Sequence, residues 1–208
     1  MANLEKLLQL SALVLSLVNG IALLYQFARD RPILKAEPIH PDLYQWWFHL
    51  PPIAADGTPA KRYGFLVYVG VSNRGLRKVS LTSWRLIIKT KRGRQVELIA
   101  NSIPEPKFSF SLADGSIYTK VLQVLGTAGE FGKGSTDIDP GCSIAGVAYY
   151  TAEFRPDDHD DIVPSNERIA ATLAITGVYG RRARTPIVFH KTDLAWVKAA
   201  VSGIEVIR

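Results

Sequence analysis

From Leu7 to Ala28 the chain reads LLQLSALVLSLVNGIALLYQFA, and no charged residue interrupts it between Lys6 and Arg29. A helix needs about 20 predominantly apolar residues to cross a bilayer's hydrocarbon core, where backbone polar groups must be satisfied within the segment. A core helix of a soluble domain is shorter and keeps a charged face. A helix lying in the interface plane also needs such a face, which this run lacks. A cleavable secretory signal asks for a basic start, a shorter apolar core and a small-x-small site. Here Glu5 and Lys6 nearly cancel, and the run closes on Tyr25-Gln26-Phe27-Ala28-Arg29. The run predicts a transmembrane anchor, residues 1–30, and so a single-pass protein of the cell inner membrane.

Lysine and arginine next to a span are retained on the cytoplasmic side. Arg29, Arg31 and Lys35 follow the run, against Lys6 and the amino terminus before it. The expectation is a large domain in the cytoplasm, with Tyr25 and Phe27 at the depth of an interfacial aromatic belt. Within the run, Ala12, Ser16 and Gly20 recur every fourth residue and share one helix face, a spacing that lets two helices approach closely. Gln9 and Asn19 lie beside that face, and an amide in hydrocarbon seeks a hydrogen-bonding partner. These five residues are the candidate helix-packing face, and other membrane protein subunits are the expected partners.

Removing the anchor and its flanks leaves roughly 170 of the residues, enough for one core. A single cysteine, Cys142, excludes an intrachain disulfide. The formal net charge is +6, a basic balance that fits nucleic acid, anionic lipid or an acidic protein and does not choose among them. Anionic lipid is the expected surface, and nucleic acid is not expected as a partner.

Prolines at 32 and 38 end the anchor helix and place Ile33 to Ala36 as an edge strand. The aromatic cluster Tyr44 to Leu50 closes on Pro51-Pro52, and 54–60 is turn chemistry. We read residues 31–62 as a linker with an edge strand and an aromatic cluster. Residues 63–208 are then the β domain. Tyr63 to Ser72 is apolar on both faces of a strand, and Asn73-Arg74-Gly75 turns it. Val79 to Lys89, a hairpin tip at Lys91 to Arg94, Val96 to Ala100, Ile117 to Leu125, Ser143 to Phe154, Ile169 to Val178 and Thr185 to Phe189 follow as strand-like runs. Gly126 to Pro140 reads as a glycine-rich loop, Leu194 to Val201 as a short helix and Ile204 to Ile207 as a tail strand or coil.

Short strands at turn-marked intervals read as a mainly β protein, an antiparallel β-sandwich behind the single helix. The turn Asn73-Arg74-Gly75, followed by alternating residues through Trp84, resembles the second and third strands of immunoglobulin-like domains, with Trp84 in the core tryptophan role. The resemblance covers roughly Tyr63 to Phe189. Val67 and Leu173 stand where the usual disulfide partners would be, so the likeness is one of architecture. It implies that the loops Asn73 to Lys78 and Gly180 to Arg184 lie at the end where the chain enters from the anchor, with Lys91 to Arg94 pointing away. Arg74, Arg77, Lys78, Arg181, Arg182 and Arg184 thereby become candidates for membrane-surface or partner contact. Trp46 and Trp47 join them as large aromatics, a type more often found in cores.

Catalytic, metal and cofactor residues are not expected. Gly126 to Ser135 departs from the phosphate-loop template: five residues separate its glycines, Gly134 replaces the hydroxyl, and Asp137 to Pro140 replace the helix. Asp157-Asp158-His159-Asp160-Asp161 is contiguous, and adjacent side chains do not converge on one ion. His40, His49 and His190 show no ligand spacing. Cys142 has no histidine near in sequence to act as base, and a buried thiol is the expectation for it. The sequence thus points to a membrane-anchored binding or scaffolding module, an accessory subunit of a larger membrane complex. The alternative is a membrane-tethered ligand sensor or effector in signalling or defence.

Overall fold

The structure, a computed structural model, describes residues 2–42, 44–52, 57–101, 107–111, 117–121, 137–155, 161–162 and 167–200. The apolar run forms one helix, α1 (Ala2–Arg29). Over Gln9–Ala28 its mean hydropathy is 1.8 and none of it is buried against the rest of the chain. By length and composition such an N-terminal helix could span a membrane or serve as a signal sequence. Pro32 forbids its continuation, and the last helical bond runs from Asp30 N to Gln26 O at 2.8 Å.

The remainder is mainly β: β1 (Leu34–Pro38), β2 (Gln45–His49), β3 (Lys61–Asn73), β4 (Val79–Lys89), β5 (Gln95–Ile99), β6 (Lys107–Ser111), β7 (Ile117–Val121), β8 (Asp137–Ile138), β9 (Ser143–Phe154), β10 (Arg168–Gly177) and β11 (Arg182–Lys191), then a short helix α2 (Leu194–Ala200). Nine strands join in one sheet ordered β1-β3-β2-β11-β10-β4-β5, with β9 also on β3 and β8 on β4, while β6 and β7 form a separate hairpin. One pairing departs from the expected antiparallel sandwich. β2 runs parallel to β11 at Trp46 and Trp47, so the sheet is mixed. The chain leaves α1 and lays β1 and then β2 along β3 in the same direction, and β11 returns from its own turn in that direction too. The aromatic run read as linker is therefore a strand held between β3 and β11. The runs at 126–136, 157–160 and 204–207, and the ends of those at 117–125 and 194–201, lie outside the described residues.

β1 pairs with Val69–Asn73 of β3 and β2 with Val67 back to Tyr63. Tyr68 falls between the two registers, and the fully buried Gln45 side chain takes the place of a strand partner. Its Nε2 donates to Ile39 O (3.1 Å) and Tyr68 O (2.9 Å), and its Oε1 accepts from Tyr68 N (3.2 Å). A buried peptide group costs free energy unless paired, so this one amide satisfies what the crossover would otherwise strand.

The main core gathers Phe65, Val67, Val69 and Val71 of β3 with Leu81, Trp84 and Leu86 of β4, Tyr150 of β9, Leu173 and Ile175 of β10 and Phe189 of β11. On β4 the buried set changes phase, from Val79 and Leu81 to Trp84, Leu86 and Ile88. Strict alternation would send one set to solvent. Instead Thr176 pairs with Ser83 and Gly177 with Leu81, so Thr82 is an extra residue, and its Oγ1 donates to Thr176 O at 3.1 Å. This bulge turns both sets inward. A second cluster, Trp46, Phe48, Leu66, Val147, Tyr149 and Val197, covers the opposite face of β2, β3 and β9 beneath α2. That is why Tyr63 to Ser72 is apolar on both faces.

Tyr149 and Tyr150 are fully buried, and their hydroxyls have no hydrogen-bond partner among the described residues. Burial pushes Tyr149 up to about 12 and raises Tyr150 further. Tyr63 is raised by burial and then by its 2.8 Å bond to Asp161 Oδ1. Each raised value favours the neutral phenol in the folded state. The stability it confers is complete below the ordinary tyrosine value of 10.0 and is lost as pH climbs through about 12. The melting temperature should therefore decline between those values, with tyrosinate absorbance rising together with loss of near-ultraviolet dichroism. Tyr149→Phe removes its share of that decline and leaves stability below pH 10 within about 1 kcal/mol. An ionisation at the ordinary value that Tyr149→Phe removes, in a protein that keeps its dichroism, would rule out this linkage.

Candidate functional site

Strand directions fix the ends of the domain. Leu34 pairs with Asn73, and Ser143 with Ser72, beside the exit of α1, while Lys61 and Phe154 pair at the far end. The turn of β3 into β4 is built around Asn73, buried, whose Nδ2 donates to Arg77 O (2.7 Å) and Ile138 O (3.1 Å) and whose Oδ1 accepts from Gly75 N (3.0 Å). Gly75 then rests on the chain leaving α1. A Cβ there would lie 2.2 Å from Arg31 O and 2.6 Å from Ile33 N, all backbone, and Arg74 N donates to Ile33 O at 2.8 Å. The β10–β11 turn reaches the same place. Phe27, Arg31, Pro32, Arg77, Tyr179, Gly180 and Arg181 line a cleft of about 360 Å³. The loops at 73–78 and 180–184 thus lie beside the exit of α1, and Lys91 to Arg94 occupy the other end beside Asp161.

The charges at this end divide into two sets. Lys78 sits 2.9 Å from Asp137 and 4.0 Å from Asp139. The Ser80 hydroxyl, then Lys78, hold the Asp137 carboxyl below its usual range, and the Asp137 hydrogen bond raises Lys78. Lys35 pairs with Glu37 and lowers it, with Arg74 adding a smaller pull. Arg31, Arg77 and Arg181 make no ion pair among the described residues, and no acidic side chain lines their cleft. The guanidinium carbons of Arg31 and Arg77 stand 5.4 Å and 5.1 Å from the centroid of one ring, Phe27. An aromatic face attracts a cation, yet two cations over one ring also repel each other.

Gln9, Ala12, Ser16, Asn19 and Gly20 are all exposed on α1, and a Cβ on Gly20 would meet nothing within 4 Å. Arg74, Arg77, Lys78, Arg182 and Arg184 are exposed and Arg181 half-buried, the last three on the edge turn and outward face of β11. Trp46 and Trp47 correct the expectation of a contact surface. Only 5% and 1% exposed, they are held inside by the pleat of β2, Trp46 beneath α2 and Trp47 in the main core with Nε1 donating to Glu167 O at 2.8 Å. Cys142 differs too: it is exposed, in the turn where its N donates to Asp139 O. Sequence reasoning did not group Phe27, Arg31 and Tyr179 with the basic loops. The glycine at 75 was the available signal, since only a residue without a side chain admits a second backbone so close.

No family model matches the chain, and no curated protein matches it. Solved structures do align. They include a provisionally assigned ApaA protein from Bordetella pertussis (12% identity, TM-score 0.30, 78% of this chain and 96% of that one). Another is the sporulation control protein Spo0M from Bacillus subtilis (13% identity, TM-score 0.30, 79% of this chain and 51% of that one). A third is a FixG-related protein from Vibrio parahaemolyticus (10% identity, TM-score 0.27, 78% and 98%). Likenesses this remote carry no functional argument.

Proposed function

We propose that the chain is a single-pass membrane protein of the inner membrane whose β domain, on the cytoplasmic side, is a binding or scaffolding subunit of a larger membrane assembly. The observation that carries this reading is α1: a 20-residue apolar surface that its own domain leaves uncovered, with the small residues Ala12, Ser16 and Gly20 in register along one face. Helices in lipid associate through such close approach, because lipid tails already satisfy apolar side chains. The basic end beside the anchor supports seating of the domain on an anionic leaflet, where each cation gains about 1 kcal/mol before screening. We read the domain itself as immunoglobulin-like: β3 is flanked by β1 and β9, and β4 by β5 and β10, the neighbours expected of its second and third strands.

Purification of the whole chain in mild detergent tests the assembly. Native subunits should accompany it in fixed stoichiometry, Gly20→Leu should reduce that yield about fivefold, and Val14→Ile on the opposite side should leave it unchanged. Equal yields from the two variants would reduce α1 to a tether. A second reading, a tethered ligand sensor, draws on a depression of about 530 Å³ at the far end lined by His49, Lys61, Tyr63, Lys91 and Asp161. A lone protein whose melting temperature responds to a small molecule would favour it.

A further inference from the structure

We propose that the cleft between α1 and the two loops is a stoichiometric binding site for the phosphate of an anionic phospholipid headgroup. The inference rests on the membrane-anchored reading and adds to it a defined site in place of diffuse attraction. Three observations converge. Phe27 lies in the last turn of α1, at the depth of an interfacial belt, so the cleft it lines opens at headgroup level. Arg31, Arg77 and Arg181 enter that cleft from the linker and from both loops, unlike Lys35 and Lys78, which are already matched to carboxylates. Two of those guanidinium groups lie over one ring, Phe27, so positive charge is gathered at the cleft with no carboxylate to offset it, and an anion taken up there lowers their mutual repulsion.

The donor chemistry selects the ligand. A guanidinium presents parallel N–H groups that fit two oxygens of a phosphodiester, and arginines from separate segments can hold different oxygens of one phosphate. Phe27, Pro32 and Tyr179 supply apolar and aromatic walls for the glycerol and first acyl carbons. A zwitterionic headgroup brings a quaternary ammonium toward three cations and is disfavoured. Phosphatidylglycerol, which carries a phosphodiester and no cation, is the type of headgroup that fits.

Native mass spectrometry of the full-length protein in detergent, with added phosphatidylglycerol or phosphatidylcholine, tests the site. One phosphatidylglycerol should be retained per chain, in preference to phosphatidylcholine. Arg77→Gln with Arg181→Gln should weaken retention about tenfold, and Arg77→Lys with Arg181→Lys should weaken it less. Arg182→Gln with Arg184→Gln removes the same charge from the same end but outside the cleft, and should change retention less than twofold. Melting temperatures of each variant confirm that it is folded. Equal losses from the two glutamine pairs, or equal retention of both lipids, would overturn the site in favour of a general field. Inorganic phosphate that displaces the lipid and stabilises the protein as well as it does would mark a free-anion site and overturn the headgroup assignment. Loss of lipid selectivity with Gly20-dependent association intact sinks only this inference, and the converse sinks only the subunit reading.

Discussion

Trp84→Ala is expected to lower stability by about 3–5 kcal/mol, the usual cost of deleting a large aromatic from a packed interior. For a domain of this size that shift corresponds to a melting temperature lower by on the order of 10 °C. Trp84 is 4% exposed and lies in the main core beside Ile175, its cross-strand partner on β10. Its Nε1 has no hydrogen-bond partner among the described residues. Trp84→Phe therefore surrenders area but no hydrogen bond, and should cost less than about 2 kcal/mol. Guanidinium unfolding of the full chain in non-ionic detergent, followed by near-ultraviolet dichroism, measures both. An alanine variant as stable as the parent would mean that the bulge at Thr82 is absent and Trp84 points to solvent.

Gln45→Leu should cost nearly as much, about 2–5 kcal/mol, for a different reason. Leucine matches the volume, so packing is kept. What is lost is the amide that stands in for a strand partner at Tyr68. Tyr68 N and Ile39 O are left buried and unpaired, whereas Tyr68 O keeps its bond from Ile39 N at 2.9 Å. The effect should be local as well as global. Amide exchange at Tyr68 and along β1 and β2 should accelerate before the β4–β10 amides respond. Gln45→Glu retains an acceptor for Tyr68 N but turns a carboxyl toward two carbonyl oxygens, so its cost should grow as pH rises and the group ionises. A leucine variant with parental stability and unchanged exchange at Tyr68 would show that another group satisfies the crossover.

These two residues also mark what the sequence could reveal. Trp84 was legible because an apolar residue in a strongly alternating run near a turn has few other places to go. The bulge was not, since Val79 and Leu81 and then Trp84 and Leu86 read as opposite faces, and the extra residue, Thr82, carries no signature of its own. Gln45 was invisible for a related reason. Its partners, Ile39 and Tyr68, are backbone groups 6 and 23 residues away, and no local pattern announces a side chain that substitutes for a strand. Trp46 and Trp47 were ambiguous in one dimension because burial depends on α2 and β11, which arrive more than a hundred residues later. The basic loops were the reverse case. Asn73-Arg74-Gly75 and the glycine at 180 fix two turns locally, and strand direction alone then brings both to the exit of α1. The single apolar helix was the plainest feature of all, because a run of that length needs no tertiary context to be recognised.

The contact at Gly75 makes the exit of α1 a stiff joint. With Arg31 O, Pro32 and Ile33 N against its α-carbon and Arg74 N bonded to Ile33 O, the linker has no slack in which the domain could swivel. Strand β3, 13 residues long, spans about 40 Å at 3.3 Å per residue. A helix tilt of about 10° would carry the far end of such a lever sideways by about 7 Å. Whatever reorients α1 is transmitted, magnified, to His49, Lys91 and Asp161 at the opposite pole.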